Sequence, residues 1–206
     1  MSTQLAGWTD RPKRFLNAHW LNPAFLVPLV EVSPAASTDV EVVDEMRCLL
    51  ESVGKVPVVC KTSPGYIVPR IQTLAMNEAA RLVEEGIASA EDVDRAVKYG
   101  FGLRFAILGL LEFIDWGGGD ILYYASDYMT KAMGSERFAA PDIVRENMAA
   151  GKNGFRDGRG FYEYGTGQVD ALRRARMKDF FGALVRAGLH RAPVASGGKS
   201  DIGGTV

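Results

Sequence analysis

The sequence predicts the closing part of an α/β domain followed by an all-α domain, and three observations carry that reading. Two short runs of mostly branched apolar residues, Phe25–Val32 and Lys55–Cys60, enclose one amphipathic helical stretch. From residue 63 to residue 189 the apolar spacing is helical almost throughout. Residues 191–206 are rich in Gly and Ser and are expected to be a disordered tail.

Residues 15–60 read as strand, strand, helix, strand. Proline cannot donate to a β-ladder, so Pro28 inside the run Phe25–Val32 predicts an edge strand or a bulge. Thr38-Asp39 supplies a cap for a helix carrying Val42, Val43, Met46, Leu49, Leu50 and Val53, and Gly54 supplies its left-handed stop. A strand–helix–strand unit implies a parallel pair joined by a right-handed crossover. Ser63-Pro64-Gly65 is expected to open a long helix with Pro64 in its first turn. Gly86 ends it, and Ser89 to Asp92 has capping-box spacing for the next. The segment Phe101–Met129 is intensely apolar, and its interruption, Asp115 to Asp120, reads as a loop between two buried helices. Ala140-Pro141-Asp142 starts another helix, and Val169, Leu172, Phe180, Leu184 and Val185 mark the last.

Composition removes several classes. A chain of 206 residues with 47% hydrophobic and 24% charged residues is too apolar to be disordered as a whole. Twenty-four Lys+Arg against 25 Asp+Glu leave a net charge of -1 with no basic stripe, so no nucleic-acid partner is expected. Cys48 and Cys60 make neither a disulfide framework nor a metal finger, and no metal is expected. The longest uncharged stretch, Phe15–Val30, holds Asn17, His19, Asn22 and two prolines and does not suit a membrane span. Met1–Arg14 lacks the apolar core of a signal peptide, so a soluble cytoplasmic protein is expected.

No G-x-G-x-x-G is present: Gly100-Phe101-Gly102 and Gly158-Arg159-Gly160 both lack the third glycine. Gly198-Lys199-Ser200 imitates the end of a phosphate loop, but Pro193 stands where its first glycine belongs. A more informative constellation is His19 with Glu31, twelve residues apart. A carboxylate inside an apolar strand needs a partner, and an adjacent strand brings it to the imidazole. Such a pair makes a general base, with the carboxylate fixing the tautomer. Asn22, on the same loop as His19, is placed to donate to a substrate. The bland alternative is a structural histidine and a solvent-facing glutamate. In the basic loop Lys152–Tyr164, packing of Phe161 and Tyr162 on the helical core is favoured over anion binding by Lys152, Arg156 and Arg159. The aromatic load of residues 101–129, with Trp116, Tyr123 and Tyr124, predicts a subunit interface rather than a ligand pocket.

Taken in order, Arg14-Phe15, His19, Asn22-Pro23 and Leu29-Val30-Glu31-Val32 resemble the 3-hydroxyacyl-CoA dehydrogenase family, as do Ser63–Arg70, Asn77–Ala79, Glu84–Asp92 and Gly160–Tyr162. The resemblance runs from about Thr3 to Tyr164, and Leu103–Ala106 is similar to the branch that handles non-CoA hydroxy acids. It implies that residues 1–62 are the last strands of a Rossmann-type NAD-binding domain. Residues 63–190 would then be a helical dimerisation domain like the C-terminal domain of 6-phosphogluconate dehydrogenase. It implies His19 as catalytic base, Glu31 as its partner and Asn22 as a neighbour shaping the site, in NAD-dependent oxidation of a 3-hydroxyacyl-CoA or related 3-hydroxy acid by a homodimer. Two departures stand out. The family's glycine-rich cofactor fingerprint precedes the histidine motif, whereas this chain starts eighteen residues before His19, so no cofactor-binding residue is expected in it. Pro69 also replaces a substrate-binding asparagine and has neither side-chain amide nor N–H. The expectation is a truncated dehydrogenase, inactive alone. The alternatives are a non-catalytic helical dimerisation or binding module, or a half-enzyme needing a Rossmann partner.

Overall fold

After a short helix, α1 (Ser2–Ala6), alternation along β1 (Leu16–Trp20) and β2 (Leu29–Pro34) sorts their side chains onto two faces. Leu16, Ala18, Val30 and Val32 turn to one face, where they pack with Leu50 and Met46 of α2 (Val40–Ser52). Full burial of each of the larger aliphatic side chains there is worth about 1.5–3 kcal/mol. Asn17, His19, Glu31 and Ser33 occupy the other face. The strands run in the order β1-β2-β3, with β1 antiparallel to β2 and β2 parallel to β3 (Val56–Val59) across the α2 crossover. Gly54 ends α2 at φ +78, as its position predicts.

The computed structural model describes residues 2–191, and contacts divide the chain into two units, residues 1–89 and residue 90 onward. The expected tail, from residue 192, lies outside the described residues, as does Gly198-Lys199-Ser200. A three-stranded sheet and a majority of helices match the coarse expectation of an α/β piece with a helical domain.

Two expectations in the first unit are corrected. The strand expected over Phe25–Val32 begins only at Leu29, and β2 is the central strand rather than an edge. The reason is local: Leu26 and Val27 donate their N–H groups to the Pro23 carbonyl in a turn. Pro28 then lies just outside the strand, where its missing N–H costs nothing and its carbonyl still accepts from Val56 N–H. The long helix, α3, spans Val68–Glu84 instead of opening at residues 63–65. Gly65 and Tyr66 sit at φ +76 and +43, and left-handed backbone cannot continue a right-handed helix. Pro69, not Pro64, takes the tolerated place in the first turn.

The second unit is helical. Its helices are α4 (Ala90–Ala96), α5 (Gly102–Ile107), α6 (Leu110–Gly117), α7 (Gly119–Met133), α8 (Asp142–Ala149) and α9 (Gln168–Arg186). A π-turn over Val97–Phe101 joins α4 to α5. The loop expected from Asp115 to Asp120 shrinks to Gly118, whose φ of +114 alone breaks the chain between α6 and α7. Asp115 therefore belongs to a helix and is buried. Its carboxylate accepts from Phe161 N–H and Tyr162 N–H, both at 2.9 Å, and from the Tyr164 hydroxyl at 2.8 Å. The basic loop packs differently from expectation: Phe155 is the buried aromatic, against Trp116 and Tyr164, whereas Tyr162 is exposed. Arg156 is engaged by Asp120 at 2.8 Å. Among the described residues no helix is long and apolar enough to cross a membrane, and no three His, Cys, Asp or Glu side chains cluster as metal ligands.

Candidate active site

Register brings the dyad together. His19 and Glu31 are directly paired across β1 and β2, and the imidazole Nδ1 lies 2.8 Å from Glu31 Oε2. The second carboxylate oxygen, Oε1, accepts from the backbone N–H groups of Ile67 at 2.9 Å and Val68 at 2.8 Å. Glu31 has no exposed surface, and these three contacts are what make its burial tolerable. An ionised carboxylate only accepts, so the neutral imidazole carries its hydrogen on Nδ1 and keeps a lone pair on Nε2. The His19 side chain retains 30% of its exposure, so the ring is not sealed from a ligand.

The turn that grips Glu31 also reaches His19. The Tyr66 ring stacks on the imidazole, with centroids 4.9 Å apart and planes inclined by 11°. Asn17, two residues before His19 and so on the same strand face, donates its side-chain amide to the Tyr66 hydroxyl. The Ser33 and Thr62 hydroxyls meet at 3.2 Å, and Thr62 donates to the Pro34 carbonyl at 2.9 Å, tying the approach to this turn onto β2. Burial and then the Glu31 charge push the Cys60 thiol up from its ordinary pKa, so it remains a thiol near neutral pH.

Asn22 is less constrained. It lies on the loop after β1, exposed, and joins the next residue through a cis Asn22–Pro23 bond. Lys55 holds this loop: its ammonium donates to the Ala24 and Val27 carbonyls at 2.6 and 3.0 Å and sits 5.5 Å from the centroid of Trp20.

A diphosphate cradle is not formed by the segment that follows β2. The turn from β2 into α2 holds no glycine, and its hydroxyls are spent, Ser37 on the Pro12 carbonyl and Thr38 on the Phe15 carbonyl. Gly160 faces the Asp115 carboxylate, and Gly102 begins α5.

Sequence reasoning named His19, Glu31 and Asn22 but missed Tyr66, Asn17, the Ile67–Val68 amides and Lys55. Strand alternation was a signal for Asn17. Nothing in the linear sequence marks Tyr66, because its place depends on a left-handed turn.

Residues 1–63 match the family model described as 3-hydroxyacyl-CoA dehydrogenase, NAD binding domain, and residues 65–164 match that of 3-hydroxyacyl-CoA dehydrogenase, C-terminal domain. The crystal structure of a 3-hydroxyacyl-CoA dehydrogenase from Archaeoglobus fulgidus superposes with a TM-score of 0.78 at 38% identity, covering 92% of this chain and 64% of that one. The 5-formyl-3-hydroxy-2-methylpyridine 4-carboxylate 5-dehydrogenase of Mesorhizobium japonicum is 32% identical over 177 residues, 85% of this chain and 57% of the relative. The mitochondrial hydroxyacyl-coenzyme A dehydrogenase of Sus scrofa is 36% identical over 164 residues, 79% of this chain and 51% of the relative. The chain thus spans about half the length of the curated relatives it matches.

Proposed function

The chain belongs to the 3-hydroxyacyl-CoA dehydrogenase family, and from that premise we propose that it serves the NAD-dependent oxidation of a 3-hydroxyacyl-CoA, or a related 3-hydroxy acid, to the 3-oxo compound. The observation that carries the reading is the His19–Glu31 pair, in which a fully buried carboxylate holds Nδ1 and leaves Nε2 free. Nε2 takes the proton of the substrate's secondary hydroxyl, and Glu31 balances the imidazolium that results. In the reductive direction the imidazolium returns the proton. Asn22, exposed on the neighbouring loop, donates its amide to the substrate. The family's reaction consumes NAD, and the steps assigned to this chain's own residues are those of the proton.

On this reading residues 1–62 are the closing part of a Rossmann-type cofactor domain and residues 63–190 the helical part through which two copies associate. Without a G-x-G-x-x-G turn, the 206-residue chain by itself holds NADH weakly and does not turn over.

The test uses two proteins, the chain itself and the chain extended at its N-terminus by a G-x-G-x-x-G half. Acetoacetyl-CoA and small free 3-oxo acids are offered to each, with NADH oxidation as readout. The extended protein is expected to turn over, and His19→Gln to lower kcat by roughly 10²–10⁴-fold. Full activity in His19→Gln refutes the assignment of the base, and micromolar NADH binding by the chain alone refutes the statement about the cofactor.

A further inference from the structure

The turn from Ser63 to Val68 touches both members of the dyad by separate means. Its amides at Ile67 and Val68 fix Glu31, and its one aromatic side chain, Tyr66, lies flat against His19. A hydrogen bond from Nδ1 to Glu31 leaves the imidazole free to swing about that contact. A ring stacked at an inclination of 11° removes this freedom. Tyr66 is in turn held at its far end, where Asn17 donates to its hydroxyl. Asn17 and His19 project from the same face of one strand, so the tyrosine bridges two side chains whose separation is fixed by β-geometry. The strained backbone of Tyr66, at φ +43, directs its ring here, and such strain persists only where the surroundings over-determine it.

We propose that Tyr66, clamped through its hydroxyl by Asn17, is a positioning residue for His19: it sets the plane of the imidazole and so aims Nε2, acting through the histidine and not on the substrate. The inference rests on the reading of His19 as the base, and it names two residues of this chain, Tyr66 and Asn17, as the support of that base.

The experiment reads the imidazole directly and needs no turnover. The chain has two histidines, so ¹H–¹⁵N correlation spectra of the imidazoles contain two sets of signals, assigned with His190→Gln. His190 packs edge-on against Phe181 in the other unit and serves as internal control. Wild-type His19 is expected to show the Nδ1–H tautomer with a protected Nδ1 proton. Tyr66→Leu, which removes the stack, is expected to speed exchange of that proton by roughly threefold to tenfold, the scale of an aromatic pair's contribution. Tyr66→Phe and Asn17→Ala, which keep the ring and remove its clamp, are expected to give smaller changes in the same direction. In all three variants the His190 signals stay in place. His19 signals indistinguishable from wild type in Tyr66→Phe and Asn17→Ala overturn the clamp, and the same result in Tyr66→Leu overturns the positioning role. Equal shifts at His19 and His190 also overturn it, because they mark general loosening. Should Tyr66→Leu fail to fold, the two conservative variants decide. Loss of turnover in His19→Gln is a separate measurement, so a failure of the proposed function leaves this result readable.

Discussion

Among the described residues, Glu31 and Asp115 are the two carboxylates with almost no exposed surface, and each is surrounded by donors, at least two of them backbone amides. Charge-assisted hydrogen bonds contribute about 1.5–3 kcal/mol each, and a buried acid that loses them costs a comparable amount. Glu31→Gln presents one oxygen and one NH₂ where the site offers three donors. It is expected to lower stability by about 2–4 kcal/mol, read as a fall in urea midpoint. Tyr164 gives a pH signature. Burial first, then its hydrogen bond to Asp115 and that carboxylate's charge, raise its hydroxyl well above the ordinary value. The folded state therefore holds this proton more tightly than the unfolded state. The stability so gained is present below the unfolded pKa of about 10 and drains away as pH rises beyond it. Wild type is expected to lose urea midpoint between about pH 9.5 and pH 11.5, and Tyr164→Phe to lose less over the same interval. At this scale His19 and Glu31 were legible, because a charged residue in an apolar run demands a partner. Tyr66 was not, since its neighbour in space is 47 residues away in the chain.

Helix and strand limits followed from the chain where a single residue type decides them. Gly54 and Gly86 stop α2 and α3 with positive φ, as their positions predict. The errors lie where two local rules compete. Branched apolar residues at Phe25–Val27 favour a strand, but a turn closed onto the Pro23 carbonyl wins. The hairpin after α8 owes its shape to tertiary contact. Bridges pair Arg159 with Gly154 and with Glu163, and a Cβ on Gly160 would lie 2.6 Å from the Asp115 carboxylate carbon. Gly160→Ala must push the hairpin off α6 or expel Asp115 from its amides. Overpacking of this kind costs about 1–3 kcal/mol, so the variant is expected to melt earlier with the far-UV spectrum of the folded state preserved at low temperature. A Gly160→Ala protein of wild-type stability would contradict this close approach of the hairpin to Asp115.

Across the molecule, the second unit leaves Ile121, Tyr124 and Tyr128 exposed at helical spacing on α7. Their burial between two copies follows from the proposed homodimer. Sedimentation equilibrium is then expected to return about twice the chain mass of 22.4 kDa, and Tyr124→Glu with Tyr128→Glu to return the monomer, since a carboxylate in an apolar interface is strongly disfavoured. A monomeric wild type would remove the dimer from the functional reading. The sequence by itself determined the order of strand, strand, helix, strand and helices, the family, and the His19–Glu31 pair, because periodicity, punctuating glycines and an acid in an apolar run are properties of neighbours in the chain. Only the tertiary structure decided that Asp115 is a buried anchor for a hairpin and that Tyr66 lies on the imidazole. Both depend on left-handed turns that bring distant segments within hydrogen-bonding or stacking reach, and distance through space has no one-dimensional pattern.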